Sequence, residues 1–193
     1  DDCDPEPYLE YSDIVTPTND PTSPVLEVIH RTWSALDDCG NSDDCPQTIE
    51  VLKLVLSLDI KPGSCPNALD IRARGTIPMS LLGTSDFDVR TVNVASLRLV
   101  RADGVGGAIA PMSAALQDTG TPFGRNLCGC HRLGGDRIVD LSLKFDNLAV
   151  VSALQLNTVA PNASVPLVLS GTLSNGCQFI ASDCVVRTPV KGR

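Results

Sequence analysis

The side chains with the widest chemical reach in this chain are eight cysteines: Cys3, Cys39, Cys45, Cys65, Cys128, Cys130, Cys177 and Cys184. An even number of thiols suits disulfide formation in an oxidising compartment. A zinc site asks for C-x2-C pairs or interleaved histidines. Cys128-Gly129-Cys130 is C-x-C instead, and the histidines are His30 and His131. All eight cysteines are therefore expected in disulfides, with the pairing open among about 105 connectivities. Cys128 and Cys130 are poor partners for each other on geometric grounds.

Clustered aspartates come next. Asp1, Asp2 and Asp4, then Asp37-Asp38, then Asp43-Asp44 offer the hard oxygen ligands that extracellular calcium needs. Asp136 and Asp140 offer a second place, with Arg137 intruding between them. No segment fits D-x-[DN]-x-[DN]-G, so solvated acidic turns are the default and calcium the candidate small partner. Catalysis has little to stand on. The chain holds no G-x-S-x-G, no H-E-x-x-H and no phosphate-cradling glycine loop. His131 follows the C-x-C without a nucleophile motif beside it and reads as an exposed loop histidine. His30 falls on a strand face beside Trp33, and no enzymatic role is expected. Asn162-Ala163-Ser164 is an N-x-S sequon in a polar turn, a candidate glycosylation site.

Charge divides the chain. Residues 1–50 hold 13 acidic side chains and one basic one, Arg31, a formal −12; residues 51–193 hold 10 acidic and 14 basic, a formal +4. With no basic stripe interleaved with aromatics, nucleic-acid binding is excluded as an expectation. No window approaches the roughly 18 apolar residues of a membrane span, so no membrane insertion is expected. A chain beginning at Asp1 rather than Met reads as a processed protein or a fragment of a longer one.

The elements that position these residues alternate with a period of two. Tyr8 to Val15 is a short strand and Val25 to Leu36 a long one, with Ile29, Trp33 and Ala35 on one face. Residues 16–24 and 37–44 read as polar turns. Gln47 to Ile60 runs without Gly or Pro, and its inward set shifts from Ile49 and Val51 to Leu52, Leu54, Leu56, Leu58 and Ile60. A phase change of that kind implies a bulge or a handover between sheets, so this run is expected to serve two rigidly coupled modules. Further strands are expected at 75–82, 95–102, 112–117, 138–145, 165–173 and 179–187. One short helix is expected at 146–154, with Asp146 as its N-cap. The expected fold is all-β: immunoglobulin-like β-sandwich modules, 1–54 incomplete and 55–193 a full sandwich.

Two stretches resemble known families. Arg31-Thr32-Trp33, Asp38-Cys39-Gly40-Asn41-Ser42 and Cys45-Pro46-Gln47-Thr48-Ile49 resemble the closing strands of the HYR repeat, an immunoglobulin-like module of bacterial and animal surface proteins. Leu58-Asp59-Ile60-Lys61-Pro62-Gly63-Ser64-Cys65-Pro66-Asn67 resembles the opening of an uncharacterised secreted bacterial domain. Gly75-Thr76-Ile77-Pro78, Phe87-Asp88-Val89, Leu141 to Asp146 and Ser182 to Val186 extend that second resemblance over most of 55–189. It implies an extracellular or cell-surface location and no known reaction. Cys177 departs from that family and suggests a bond peculiar to this protein.

The HYR module normally opens with strands ahead of the position of Asp1, and Trp33 then lacks a facing sheet to bury it. An unpaired strand edge invites pairing with another chain. The expected function is therefore a structural subunit of a bacterial surface fibre, a head-to-tail homopolymer built by strand complementation. Val185–Lys191 or Asp1–Val15 would be the donor. The alternative is a monomeric adhesion or glycan-binding module; a hydrolase accessory domain is a weaker third.

Overall fold

A computed structural model describes residues 6–124 and 127–189. The chain divides into two compact units, Asp1–Lys53 and Leu54–Arg193.

The first unit is an antiparallel meander of β1 (Tyr8–Pro17), β2 (Val25–Leu36) and β3 (Ser42–Leu52), in that order across one sheet. Alternation of apolar and polar side chains favours extended backbone in all three. Asp20 closes the first turn by accepting from the backbone N–H and hydroxyl of Thr22, at 2.8 and 2.7 Å. Asp37 closes the second by accepting from the Asn41 N–H at 2.7 Å, with Gly40 at φ +86°. A left-handed residue there costs glycine little and a β-carbon more. Asp43 and Asp44, expected in this turn, belong instead to β3. Once Asp37 and Asn41 have closed the reversal, the chain can resume pairing at Ser42 opposite Leu36.

Lys53 alone separates β3 from β4 (Leu54–Ile60). The register of β2 against β3 shifts between Val25 and Glu27, next to Leu52. The change of inward phase in the sequence thus falls where the chain leaves one sheet for the other.

The second unit adds β5 (Ala68–Leu69), β6 (Thr76–Leu82), β7 (Arg98–Arg101), β8 (Ser113–Gln117), β9 (Asp140–Asp146), α1 (Asn147–Ala153), β10 (Ser164–Thr172) and β11 (Gln178–Arg187). Its strands hydrogen-bond in the order β7-β10-β11-β4-β6-β9-β8, with β5 also on β11. β11 runs parallel to β4 and β5, and every other pair is antiparallel. The chain is all-β and sandwich-type, with one short α-helix. Asp146 caps that helix by accepting from the Ala149 N–H at 2.7 Å.

One core gathers the inward positions of these strands, among them Ile60, Met79, Leu143, Phe145, Leu167 and Phe179, each fully buried. Register brings them together: Met79 stands opposite both Ile60 and Leu143. Burying each such side chain contributes about 1.5–3 kcal/mol. The opposite face of β4, β6 and β9 carries Asp59, Ser80 and Ser142 side by side, and residues 118–121 pass over it. Gly120 permits that approach, since a β-carbon there would lie 2.9 Å from a Leu82 methyl and 3.4 Å from Asp59 Oδ2.

Candidate functional site

Two disulfides form around a single short segment. Cys65 joins Cys130 and Cys128 joins Cys184, across Cα separations of 5.3 and 4.7 Å. The C-x-C thus reaches in two directions, one bond to the chain leaving β4 and one to β11. Cys39 is disulfide-bonded as well, and Cys3 lies outside the described residues. Cys45 and Cys177 depart from the expectation that all eight would pair, because both are free and exposed thiols. Strand register places Cys45 in the middle of β3 beside Trp33, and Cys177 falls in the turn that opens β11, where neither meets another sulfur.

Among the described residues the aspartates expected to gather calcium do not group together. Asp37 serves its turn, where the Asn41 side-chain amide holds its carboxyl below the usual range. Asp43 accepts from the Asp44 N–H at 3.0 Å, and Asp44 from the Ser34 hydroxyl at 2.7 Å. Asp38 is exposed at the tip of the second turn. Asp136 accepts from the Ile138 N–H at 2.9 Å, while Asp140 is buried and turned inward. Asp1, Asp2 and Asp4 lie outside the described residues. Among the described residues no three His, Cys, Asp or Glu side chains are grouped to hold a metal ion.

Asn162 is exposed in the turn before β10, at φ +64°. His30 is exposed on β2, its Nδ1 3.5 Å from the Thr48 hydroxyl. His131 differs from the exposed loop histidine that was expected. It is half-buried, stacked edge-on against Phe123 at 4.2 Å, and accepts from the Leu133 N–H through Nδ1 at 3.0 Å. Its Nε2 is buried without a hydrogen-bond partner. The two adjacent disulfides draw the segment inward and carry His131 with it.

The fold also brings together a carboxylate group that sequence reasoning missed. Asp59 on β4, Asp140 on β9 and Asp183 on β11 are buried, and the charges of Asp183 and Asp140 reach Asp59. Asp140 accepts four hydrogen bonds: from the N–H groups of Gly83, Thr119 and Gly120 at 3.0, 2.8 and 3.0 Å, and from the Thr119 hydroxyl at 3.0 Å. Asp183 occupies the fork where β4 and β5 part along β11. It accepts from the N–H groups of Ile60 and Cys184 at 2.8 and 2.7 Å, and from the Asn67 amide at 3.0 Å. Burial still pushes its carboxyl upward, against the pull of those donors and of His131.

Asp59 lacks such support: the residue is 4% exposed and its Oδ2 has no partner. Burial, then the charges of Asp183 and Asp140, push its carboxyl up to about 7. A neutral carboxyl is the form such surroundings favour. The sequence signal was an aspartate flanked by Leu58 and Ile60 on an alternating strand, which assigns it to the outward face; only the clamped loop makes that face an interior.

The first unit offers a surface instead. Among the described residues, no side chain of β1, β2 or β3 is buried. Leu9, Tyr11 and Val15 on β1 share a face with Ala35, Trp33 and Ile29 on β2, and with Cys45 and Ile49 on β3. Arg31 is held on that face by Asp13 through two 2.8 Å bonds and lies 4.0 Å above the Tyr11 ring. The Trp33 indole donates to Gln47 at 3.1 Å, and its ring is 5.2 Å from that of Tyr11. Among the described residues both outer strands of this sheet lack a partner along their free edges.

The described strand residues of both expected donor segments, Asp1–Val15 and Val185–Lys191, are engaged within the chain. Tyr8–Val15 pairs with β2, and Val185–Arg187 completes β11 between β10 and β5. Residues 190–193 lie outside the described residues. Among the described residues no helix is long and apolar enough to cross a membrane. Comparison with family models, characterised proteins and solved structures finds no match to this chain.

Proposed function

We propose that the chain is an extracellular structural subunit of a bacterial surface fibre, assembled by β-strand complementation between copies. The observation that carries this reading is the first unit: three strands, an exposed apolar face, edges open among the described residues and no buried side chain in any of the strands. An edge of unpaired N–H and C=O groups beside an uncovered apolar face is stabilised by a further strand, which supplies both hydrogen bonds and cover. The disulfides of the second unit support an oxidising, extracellular setting. With Tyr8–Val15 and Val185–Arg187 already paired in their own sheets, complementation takes the form of edge addition by a formed strand. The intact, oxidised protein, examined by light scattering and negative-stain microscopy, is expected to form filaments. A monodisperse monomer at high concentration would overturn the proposal.

One observation favours the alternative of a monomeric glycan-binding module. Tyr11 and Trp33 lie exposed on one sheet face, flanked by Arg31 and Gln47. Aromatic rings edged by polar groups suit the apolar faces of sugars. Tryptophan fluorescence titrated with oligosaccharides tests it: saturable quenching in a monomeric protein would support this reading over the fibre.

A further inference from the structure

Among the described residues the two strand orders end on β1 and β3 in one sheet and on β7 and β8 in the other, and these ends are not equivalent. At one end of the larger sheet, β7 is covered by its own chain: Leu99 and Ile109 exchange both backbone hydrogen bonds, at 2.8 and 3.0 Å. β3 is blunted by Asp43, Asp44 and Glu50, and by Pro46, which has no N–H to give. Among the described residues the other two are less guarded, Pro17 standing only at the last position of β1. β1 has ten residues, and of its two charges Asp13 is already neutralised by Arg31. β8 is uncharged and wholly exposed, with its outer edge unpaired among the described residues.

The side chains on these two edges match. Leu116 and Ala114 on β8 stand opposite Leu141 and Leu143 of the core, so Met112, Ala114 and Leu116 carry the core face out to the rim. There the rim is exposed, Met112 67% and Leu116 50%, while the core residues behind it stay buried. On β1, Leu9, Tyr11 and Val15 share one face, interrupted by Asp13, which Arg31 pairs, and Leu9 is 62% exposed. A β1 strand laid beside β8 would extend that core with a second apolar row. The opposite faces carry Glu10 on β1 and Lys144 beside β8. The charge of the two halves, −12 over 1–50 and +4 over 51–193, favours the same pairing and disfavours β1 against β1.

Resting on the assembly reading above, we infer that the fibre contact is edge pairing of β1 of one copy with β8 of a second copy. One less guarded edge on each unit makes the contact heterologous, so it repeats without closing on a two-fold axis.

The test uses the full chain with Leu9→Lys on β1, Leu116→Lys on β8 and Thr48→Lys on the guarded β3 edge. Lysine on an edge strand opposes addition of another. Expected are loss of filaments with L9K and with L116K, and filaments unchanged with T48K. Mixed together, L9K and L116K should give a 1:1 heterodimer that does not elongate, since each retains the edge the other has lost. Circular dichroism checks folding, and Val15→Lys and Met112→Lys replace any variant that fails to fold. Filaments from both edge variants, or no heterodimer on mixing, would overturn the strand assignment alone. A wild-type chain that never assembles would overturn the assembly reading and this inference with it.

Discussion

Asp59 is the side chain whose environment departs furthest from what its type prefers. Its carboxyl lies near 7 instead of 3.8, raised by burial and by Asp183 and Asp140. The folded state therefore holds a proton that the unfolded chain releases. That contribution to stability is complete below about pH 3.8 and is lost as pH rises through about 7. Thermal melts should show a midpoint lower at pH 8 than at pH 5, by at least about 2–4 °C for each 1 kcal/mol involved. Asp59→Asn, isosteric with the protonated form, should flatten that dependence and raise the midpoint at pH 8. An unchanged pH profile in the variant would count against the buried, neutral carboxyl. Asp183 is the contrasting case, its oxygens filled by Ile60, Cys184 and Asn67. Asp183→Ala would strand those donors at a cost of about 1–3 kcal/mol each, measurable by urea unfolding.

At the scale of elements, residues 118–121 are held over Asp59 by the hydrogen bonds of Asp140, and two disulfides anchor Cys128 and Cys130 further along the same connection. A disulfide of this kind contributes about 2–4 kcal/mol. Replacing Cys128 and Cys184 together by Ser should lower stability by that amount in urea. It should also return the Asp59 carboxyl toward its ordinary value as water reaches it, and so weaken the pH dependence. Stability lost with the pH profile intact would show that the bond does not seal the carboxyl. The helix α1 rests on one visible signal, Asp146 accepting from Ala149. Asp146→Ala is expected to cost about 0.5–2 kcal/mol, read from the same unfolding curves.

At the scale of the molecule, the two units differ in what holds them. The second has a continuous buried core, and a chain of 54–193 should unfold cooperatively on heating. The first has an exposed apolar face and no buried strand residue. A chain of 1–53 alone should give a broad, uncooperative melt, because a single-layer sheet removes too little apolar surface from water to offset the entropy of ordering it. A sharp melt of that fragment as a monomer would argue that its sheet is sufficient in itself.

Much of the architecture was legible along the chain, because strand periodicity and turn chemistry act between near neighbours. Tyr8–Val15, Val25–Leu36 and most of the six later expected strands follow apolar alternation, and Asp146 marks the helix start, whereas 94–96 turns as a 3₁₀ helix before β7 and the two-residue β5 gave no signal. The shift of phase from Val51 to Leu54 marks the passage between sheets. Tertiary structure decided what local rules do not reach. It sent Cys128 and Cys130 to different partners, left Cys45 and Cys177 unpaired, turned His131 inward and gathered Asp59, Asp140 and Asp183. Each of these depends on which distant segments meet, and alternation says only which face a residue occupies, not what will cover it.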